Sequence, residues 1–232
     1  MNATRVARNV RARIGRFSGD LSKGLCVRAR RFVSEMVYGI QASESVVLTE
    51  VARTLEEPIS IKKTEERLSR NLQRPELEGV VQDNLLRMAQ GHIGKDTLLI
   101  IDPSDLSKKY AKKMEYLATV RDGSAHDLAQ GYWMLHIIGA EVGSNTMVPL
   151  YHRLWSSDAP GHISENDEIL RGIDAVAKHV GKRGIFVCDR GGDRINLFEP
   201  ILERQLRFLF RLVGNRHLVF NKNTLPAEQI AW

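Results

Sequence analysis

Two short apolar runs each end on an aspartate, and they constrain the chain more than any other feature. "TLLII" (97–101) leads into Asp102 and Pro103, and "GIFVC" (184–188) leads into Asp189 of "DRGGDR". Brief continuous apolar runs are what strands buried on both faces look like. In an open α/β sheet the strand end holds a side chain on rigid backbone while the next loop leaves room for a ligand. A single Asp before Pro or Gly has a simpler reading as a turn former; its repetition points to a shared site. If the two strands are neighbours, both carboxylates meet at one edge of the sheet. A divalent cation such as Mg2+ would then relieve their repulsion and serve as a Lewis acid in phosphoryl chemistry.

The segments around these runs supply the rest of an α/β pattern. "YWMLHIIGAEV" and "TMVPLYHRLW" flank the turn "GSN" (143–145) and read as an antiparallel hairpin. Residues 164–180 are helical, with Ser164 and Asp167 in capping-box spacing and Ile169, Ile173, Val176 and Val180 as the apolar stripe. "RINLFEPILERQL" reads as helix with a break or restart at Pro200, and "RFLFRLV" is a third short apolar run. The expected order over 95–232 is β-β-β-α-β-α-β, a mixed α/β sheet.

The first 94 residues read as a mainly helical, basic region. Arg5, Arg8, Arg11, Arg13, Arg16, Lys23, Arg28, Arg30 and Arg31 face only Asp20 as an acid before Glu35. Val6, Val10, Ile14, Phe17 and Leu21 recur at helical spacing, so the arginines fall mostly on the other face of an amphipathic helix interrupted at Gly15 and Gly19. Three readings stay open: an arm that contacts DNA, a solvated face, and an Arg-rich transit peptide. Val47, Val51 and Leu55 share a second helical face, and Ser60 can cap a helix carrying Ile61, Leu68 and Leu72. The connector "EEPIS" allows either a helix-turn-helix or an ordinary helical hairpin. A further helix opens at Pro75 with Leu77, Val81, Leu85 and Met88 as its stripe.

Composition narrows the class. The formal net charge of +6 permits a polyanionic partner. No apolar run approaches the roughly 18 residues of a membrane span. The two cysteines, Cys26 and Cys188, lie far apart, which speaks against a disulfide scaffold and fits a reducing cytoplasm. "LSKKYAKKME", if helical, pairs Lys108 with Lys112 and Lys109 with Lys113 at about 0.2–0.5 kcal/mol of repulsion each, which a nearby polyanion would offset; a solvated lysine face is the alternative. The seven histidines show no repeated ligand spacing, so His126, His136, His152 and His162 read as core or surface polar groups rather than zinc ligands. Trp133 and Trp155 read as hairpin core rather than base-stacking platforms.

"LLIIDPSDLSKKY", the hairpin and "FVCDRGGDR" together resemble the first two catalytic blocks of the DDE transposases of bacterial insertion sequences, over about residues 43–219. The resemblance implies an α/β, ribonuclease-H-like mixed sheet behind a helical DNA-binding region, divided at 1–94 and 95–232. It implies that Asp102 and Asp189 are the catalytic, metal-binding acids, and that Asp193 matches a noncatalytic companion. It further implies Mg2+, or Mn2+ in its place, and double-stranded DNA as partner, both transposon ends and target. A homodimer in a synaptic complex and a cytoplasmic, nucleoid-associated location would follow. The residues expected at the DNA are Arg5, Arg8, Arg11, Lys108, Lys109, Lys112, Lys113 and Arg190.

The family's third acid is a Glu on a helix after the last core strand, preceded by a Tyr and an Arg. Here Glu199 and Glu203 come before that strand, and Glu228 has Asn221 and Thr224 at the places of the Tyr and Arg. The chain therefore reads as the front portion of a transposase, decayed or truncated. Two other roles remain open: a noncleaving protein that binds transposon ends or inhibits intact transposase, and a nuclease of the same fold.

Overall fold

The computed structural model describes residues 3–111, 113–123 and 127–230. The chain divides into two compact units, 1–88 and 89–232. The junction expected at 94/95 thus falls inside the second unit, where Ala89 and Ile93 are buried and a Cβ on Gly139 would lie 2.7 Å from Ile93.

The first unit is helical throughout. Helix α1 (Ala3–Leu21) runs through Gly15 and Gly19 without the expected interruption; glycine costs only about 1 kcal/mol in a helix interior, which tertiary packing overrides. Helices α2 (Val27–Ser43), α3 (Leu48–Thr54), α4 (Ile61–Leu72) and α5 (Pro75–Ala89) follow. Their apolar faces bury Leu21, Ala29, Phe32, Val51 and Leu68 in one cluster, joined by Leu25 from the turn between α1 and α2. Ser60 caps α4 by accepting from the Lys63 N–H. Asn84 on α5 donates to the carbonyls of Leu21 and Lys23 at 3.0 and 2.8 Å, which ties the C-terminal end of α1 to the bundle.

The second unit is built on a mixed sheet. Its strands are β1 (Leu98–Ser107), β2 (Ala118–Asp122), β3 (Asp127–Ala140), β4 (Met147–Trp155), β5 (Ile185–Cys188) and β6 (Phe208–Phe210). Helix α6 (Glu165–Val180) lies between β4 and β5, and α7 (Ile195–Glu203) between β5 and β6. The sheet order is β2-β3-β1-β5-β6, with β4 also pairing β3. β1 and β4 are antiparallel to β3, whereas β5 is parallel to β1 and β6 parallel to β5. This helical region followed by a mixed sheet is compatible with the expected architecture. The element order differs from β-β-β-α-β-α-β in two respects. An extra strand, β2, pairs the first half of the long β3, and a separate two-stranded sheet, β7 (His217–Phe220) with β8 (Asn223–Pro226), leads to the short helix α8 (Ala227–Ile230).

Helix α6 covers one face of the sheet. Ser164 caps it by accepting from the Asp167 N–H at 3.2 Å and donating to the Asp167 carboxylate, so the capping pair forms as the spacing predicts. Ile169, Ile173, Val176 and Val180 are buried. Gly172 lets the helix lie close: a Cβ there would sit 2.9 Å from Leu135 and 3.1 Å from both Ile137 and Tyr151. Glu168, buried on α6, accepts from Arg153 of β4 at 2.6 Å. Helix α7 passes through Pro200 without the expected break; with Leu197 and Ile201 both fully buried, packing outweighs the lost hydrogen bond.

Candidate functional site: a carboxylate pair on the uncovered sheet face

The alternation of side chains along β1 and β5 decides where the two aspartates go. Leu99, Ile101, Phe186 and Cys188 are buried on the α6 side, at 4% exposure or less. Leu98, Ile100 and Asp102, with Ile185 and Val187, take the opposite face, and Asp189 follows directly after β5. The parallel register pairs Leu98 with Ile185 and Ile100 with Val187. The ladder ends there, two residues short of Asp102 and Asp189, and β5 itself ends at Cys188.

Asp102 is not at the end of its strand, contrary to expectation. β1 continues to Ser107 by pairing Pro103–Ser107 with Leu135–Gly131 of β3. Proline is tolerated there because this stretch has lost β5 from its other side, so no ladder donor is missing. The aspartate stands where β1 outruns its parallel neighbour, which is the end of the three-strand region rather than of the strand. Asp102 is exposed and makes no hydrogen bond or ion pair among the described residues. Asp189 is also exposed; its Oδ1 accepts from the Gly191 N–H at 2.8 Å and so shapes the 3-10 turn Arg190–Gly192.

The "DRGGD" motif separates two acids by environment. Asp193 is buried, its carboxylate accepting from the Val213 N–H at 2.6 Å and from Arg216 Nε at 2.7 Å. Burial alone would raise its pKa, but the Arg216 hydrogen bond and charge, with the Val213 N–H, hold the carboxyl below its usual range. It ties the segment after β6 to the turn after β5. Gly192 permits this turn, since a Cβ would lie 2.8 Å from the Cys188 Cβ and 3.0 Å from Phe210. Cys188 is pushed up to about 11 by burial, and next by the Asp189 charge, so it stays a thiol.

Neighbouring strands extend the acid level in both directions. Asp102 pairs across from His136 on β3, and His136 from His152 on β4. The two imidazole rings lie 4.6 Å apart. On the other side, Cys188 pairs with Phe210, and the Arg211 N–H donates to the Cys188 carbonyl at 3.1 Å, so Arg211 follows beside Asp189. Arg211 is exposed and has no ion-pair partner among the described residues. Sequence reading passes over Arg211, although "FLFR" ends on a charged residue just as "LLIID" does. It also assigns no site to His136 and His152, which only the strand register brings together.

The expected DNA contacts are dispersed. Arg190 is exposed directly after Asp189. Lys108 is half-buried and Lys109 and Lys113 are exposed, but they do not form the helix expected of "LSKKYAKKME": Leu106 and Ser107 complete β1, and 108–111 and 113–117 are loop. The repulsive i,i+4 lysine pairs therefore do not arise. Six residues of strand, at about 3.3 Å each, set Lys108 ~20 Å from Asp102. Lys112 and His126 lie outside the described residues. Trp155 is buried and Trp133, its partner across the hairpin, half-buried, as expected for hairpin core. Among the described residues no group of three or more His, Cys, Asp or Glu converges as a metal site. Glu199, Glu203 and Glu228 are all exposed, the first two on α7 and the last on α8.

In the first unit, Arg5, Arg8 and Arg11 are exposed on α1, and so are Val6, Val10 and Phe17 of its apolar stripe. Arg31 is not free for a ligand. It bonds Glu35 at 2.6 Å and Glu57 at 2.5 Å, while Arg67 bonds the same two acids at 2.5 and 2.7 Å. Burial works to raise the Glu57 pKa, but the hydrogen bonds from Arg67 and Thr64 and the two guanidinium charges bring it below its ordinary value. Helix α4 exposes Lys62, Lys63 and Arg70. The connector 55–60 between α3 and α4 is longer than the three or four residues of a helix-turn-helix turn, which fits a helical hairpin better. No described helix is long and apolar enough to cross a membrane.

Comparison with known proteins adds little to this geometry. No family profile matches the sequence, and no curated protein matches it. A solved structure, "Crystal structure of the Mos1 Strand Transfer Complex", is similar at 12% identity and a TM-score of 0.27, over 76% of this chain. The chain spans 56% of the length of that protein.

Proposed function

We propose that the chain is a transposase-type DNA-binding protein whose second unit is a ribonuclease-H-like core, with Asp102 and Asp189 as its metal-binding acids. The observation that carries this reading is that β1 and β5 are neighbouring parallel strands and that an exposed aspartate stands two residues beyond the last paired position on each, Ile100 and Val187. The sheet order supports it, with β1 between antiparallel β3 and parallel β5 and β6 outermost. The resemblance of "LLIIDPSDLSKKY" and "FVCDRGGDR" to the first two DDE blocks points the same way.

The donor set fits a hard divalent cation. Carboxylate oxygens suit Mg2+ or Mn2+, and Asp102 has no competing partner among the described residues. When bound, such an ion supplies Lewis-acid polarisation of a phosphoryl oxygen. Asp102 and Asp189 would hold it, the Gly191 N–H keeping Asp189 in place, and Arg190 and Arg211 would meet the phosphates beside it. Arg5, Arg8 and Arg11 would bind the duplex at a distance from the chemistry. Transposon ends and target DNA are the substrates this reading implies, with a homodimer as the synaptic assembly.

A second reading is a noncleaving DNA-binding protein. What favours it is the lack, among the described residues, of a third acid converging on the pair, since two-metal chemistry normally needs one to place the second ion. Incubating a supercoiled plasmid bearing transposon ends with Mg2+ or Mn2+ separates the two. Cleavage by the parent chain but not by Asp102→Ala/Asp189→Ala supports the enzyme. Equal, background cleavage by both, with DNA binding retained, supports the noncleaving protein. Absence of DNA binding overturns both.

A further inference from the structure

We propose that His136 and His152 form a binding site for a borderline transition-metal ion of the Zn2+ or Ni2+ type, separate from the carboxylate pair and independent of the transposase reading. The two residues are direct cross-strand partners on β3 and β4, so both imidazoles rise from the same face at the same level. Their ring centres are 4.6 Å apart with planes tilted by 42°. A metal bound at about 2.0–2.1 Å from one nitrogen of each ring holds the ring centres ~4.5–5 Å apart. The rings already have a separation in that range.

The backbone beneath them is rigid. β3 is hydrogen-bonded to β1 on one side and β4 on the other at this level, which limits the movement of His136. His152 is exposed and His136 half-buried, so an ion and its water can enter. Ligand chemistry separates this pair from the neighbouring acids: imidazole suits Zn2+, Ni2+ and Cu2+, whereas carboxylate and water suit Mg2+ and Mn2+. No third His, Cys, Asp or Glu converges here among the described residues, so water completes the coordination and open positions remain for an anionic ligand. Asp102 stands opposite His136 on the other side, where an ion held by the histidines would place positive charge beside the carboxylate.

The test uses the full chain carrying Cys26→Ser, because the exposed Cys26 thiol would bind the same ions. Zn2+ and Ni2+ affinities are read by competition with a coloured chelator in the parent, His136→Gln, His152→Gln and Asp102→Asn/Asp189→Asn, each checked for folding by circular dichroism. We expect one ion per chain, an affinity at least tenfold weaker in either His variant, and a smaller loss, under about tenfold, in the Asp variant, which removes only the neighbouring negative charge. In the parent itself, the imidazole nitrogen resonances of His136 and His152 should shift together on substoichiometric Zn2+, a readout that needs no mutant to fold. Unchanged affinity in both His variants, or imidazole resonances that do not move, overturns the site. Loss confined to the Asp variant also overturns it, assigning the ion to the carboxylate pair and leaving the proposed function standing.

Discussion

The two faces of the main sheet treat charge in opposite ways. On the face under α6, the buried Glu168 accepts from Arg153 at 2.6 Å, and Leu99, Ile101, Leu135, Ile137 and Phe186 are apolar side chains at or near zero exposure. On the opposite face, Asp102 is exposed and makes no ion pair among the described residues, with His136 and His152 across from it in turn, while Asp189 and Arg211 follow directly after β5 and β6. Burial explains the first face, because an unpaired charge under a helix would cost several kcal/mol. Folding accounts for the second only in part: Asp189 caps the turn Arg190–Gly192, whereas Asp102 has no partner among the described residues and stays tolerable because water screens it. The difference teaches that the covered face carries the fold, and that the uncovered face is free to carry a ligand.

The largest expected effect lies on the covered face. Ile173→Ala removes a fully buried side chain of α6 and should cost about 2–5 kcal/mol, read as a lower urea midpoint. An effect under about 1 kcal/mol would mean that α6 does not seal the sheet. Asp193→Asn comes next. It breaks the buried pair with Arg216 and should cost about 3 kcal/mol. The folded-state pKa of Asp193 is depressed, so its stabilising contribution is complete above the unfolded carboxyl value, about 3.9, and is lost as pH falls below it. The parent should therefore lose stability on acidification more steeply than Asp193→Asn; parallel curves would refute the pairing.

On the uncovered face the comparison predicts the reverse pattern, a small effect on stability and a specific one on ligands. Asp102→Asn/Asp189→Asn should change stability by no more than about 0.5 kcal/mol, or raise it slightly by removing repulsion. Mg2+ or Mn2+ should raise the melting temperature of the parent but not of this variant. A large destabilisation by the double substitution would make the pair structural and erase the contrast between the faces.

The smallest effect concerns the first unit. Removing residues 1–31 is a poor test of DNA binding there, because Leu21, Leu25 and Ala29 belong to its core. Substituting Arg5, Arg8 and Arg11 by Ala leaves that core intact, and the slope of log K against log salt for a duplex should then flatten by about 0.9 for each phosphate that is no longer neutralised. An unchanged slope would make these arginines a solvated face.

Some of this was legible in the sequence because it depends on local periodicity. The helical region, the capping box at Ser164, the hairpin around 143–145 and the buried runs ending at Asp102 and Asp189 all read directly from residue pattern. Where the reading failed, a nonlocal partner decided. β3 extends β1 past Asp102 and through Pro103, which draws Leu106 and Ser107 out of the predicted lysine helix. Burial of Leu197 and Ile201 carries α7 across Pro200, and packing carries α1 across two glycines.

The neighbourhood of the aspartates belongs to the same class. Residue order alone determined that two acids follow two buried apolar runs. It could not determine that His136, His152 and Arg211 share their level, because those positions are set by hydrogen-bond register between strands distant in the chain. A one-residue slip in any ladder would turn those side chains to the other face. Only the tertiary pairing, locked by the apolar face packed beneath α6, decides which residues meet.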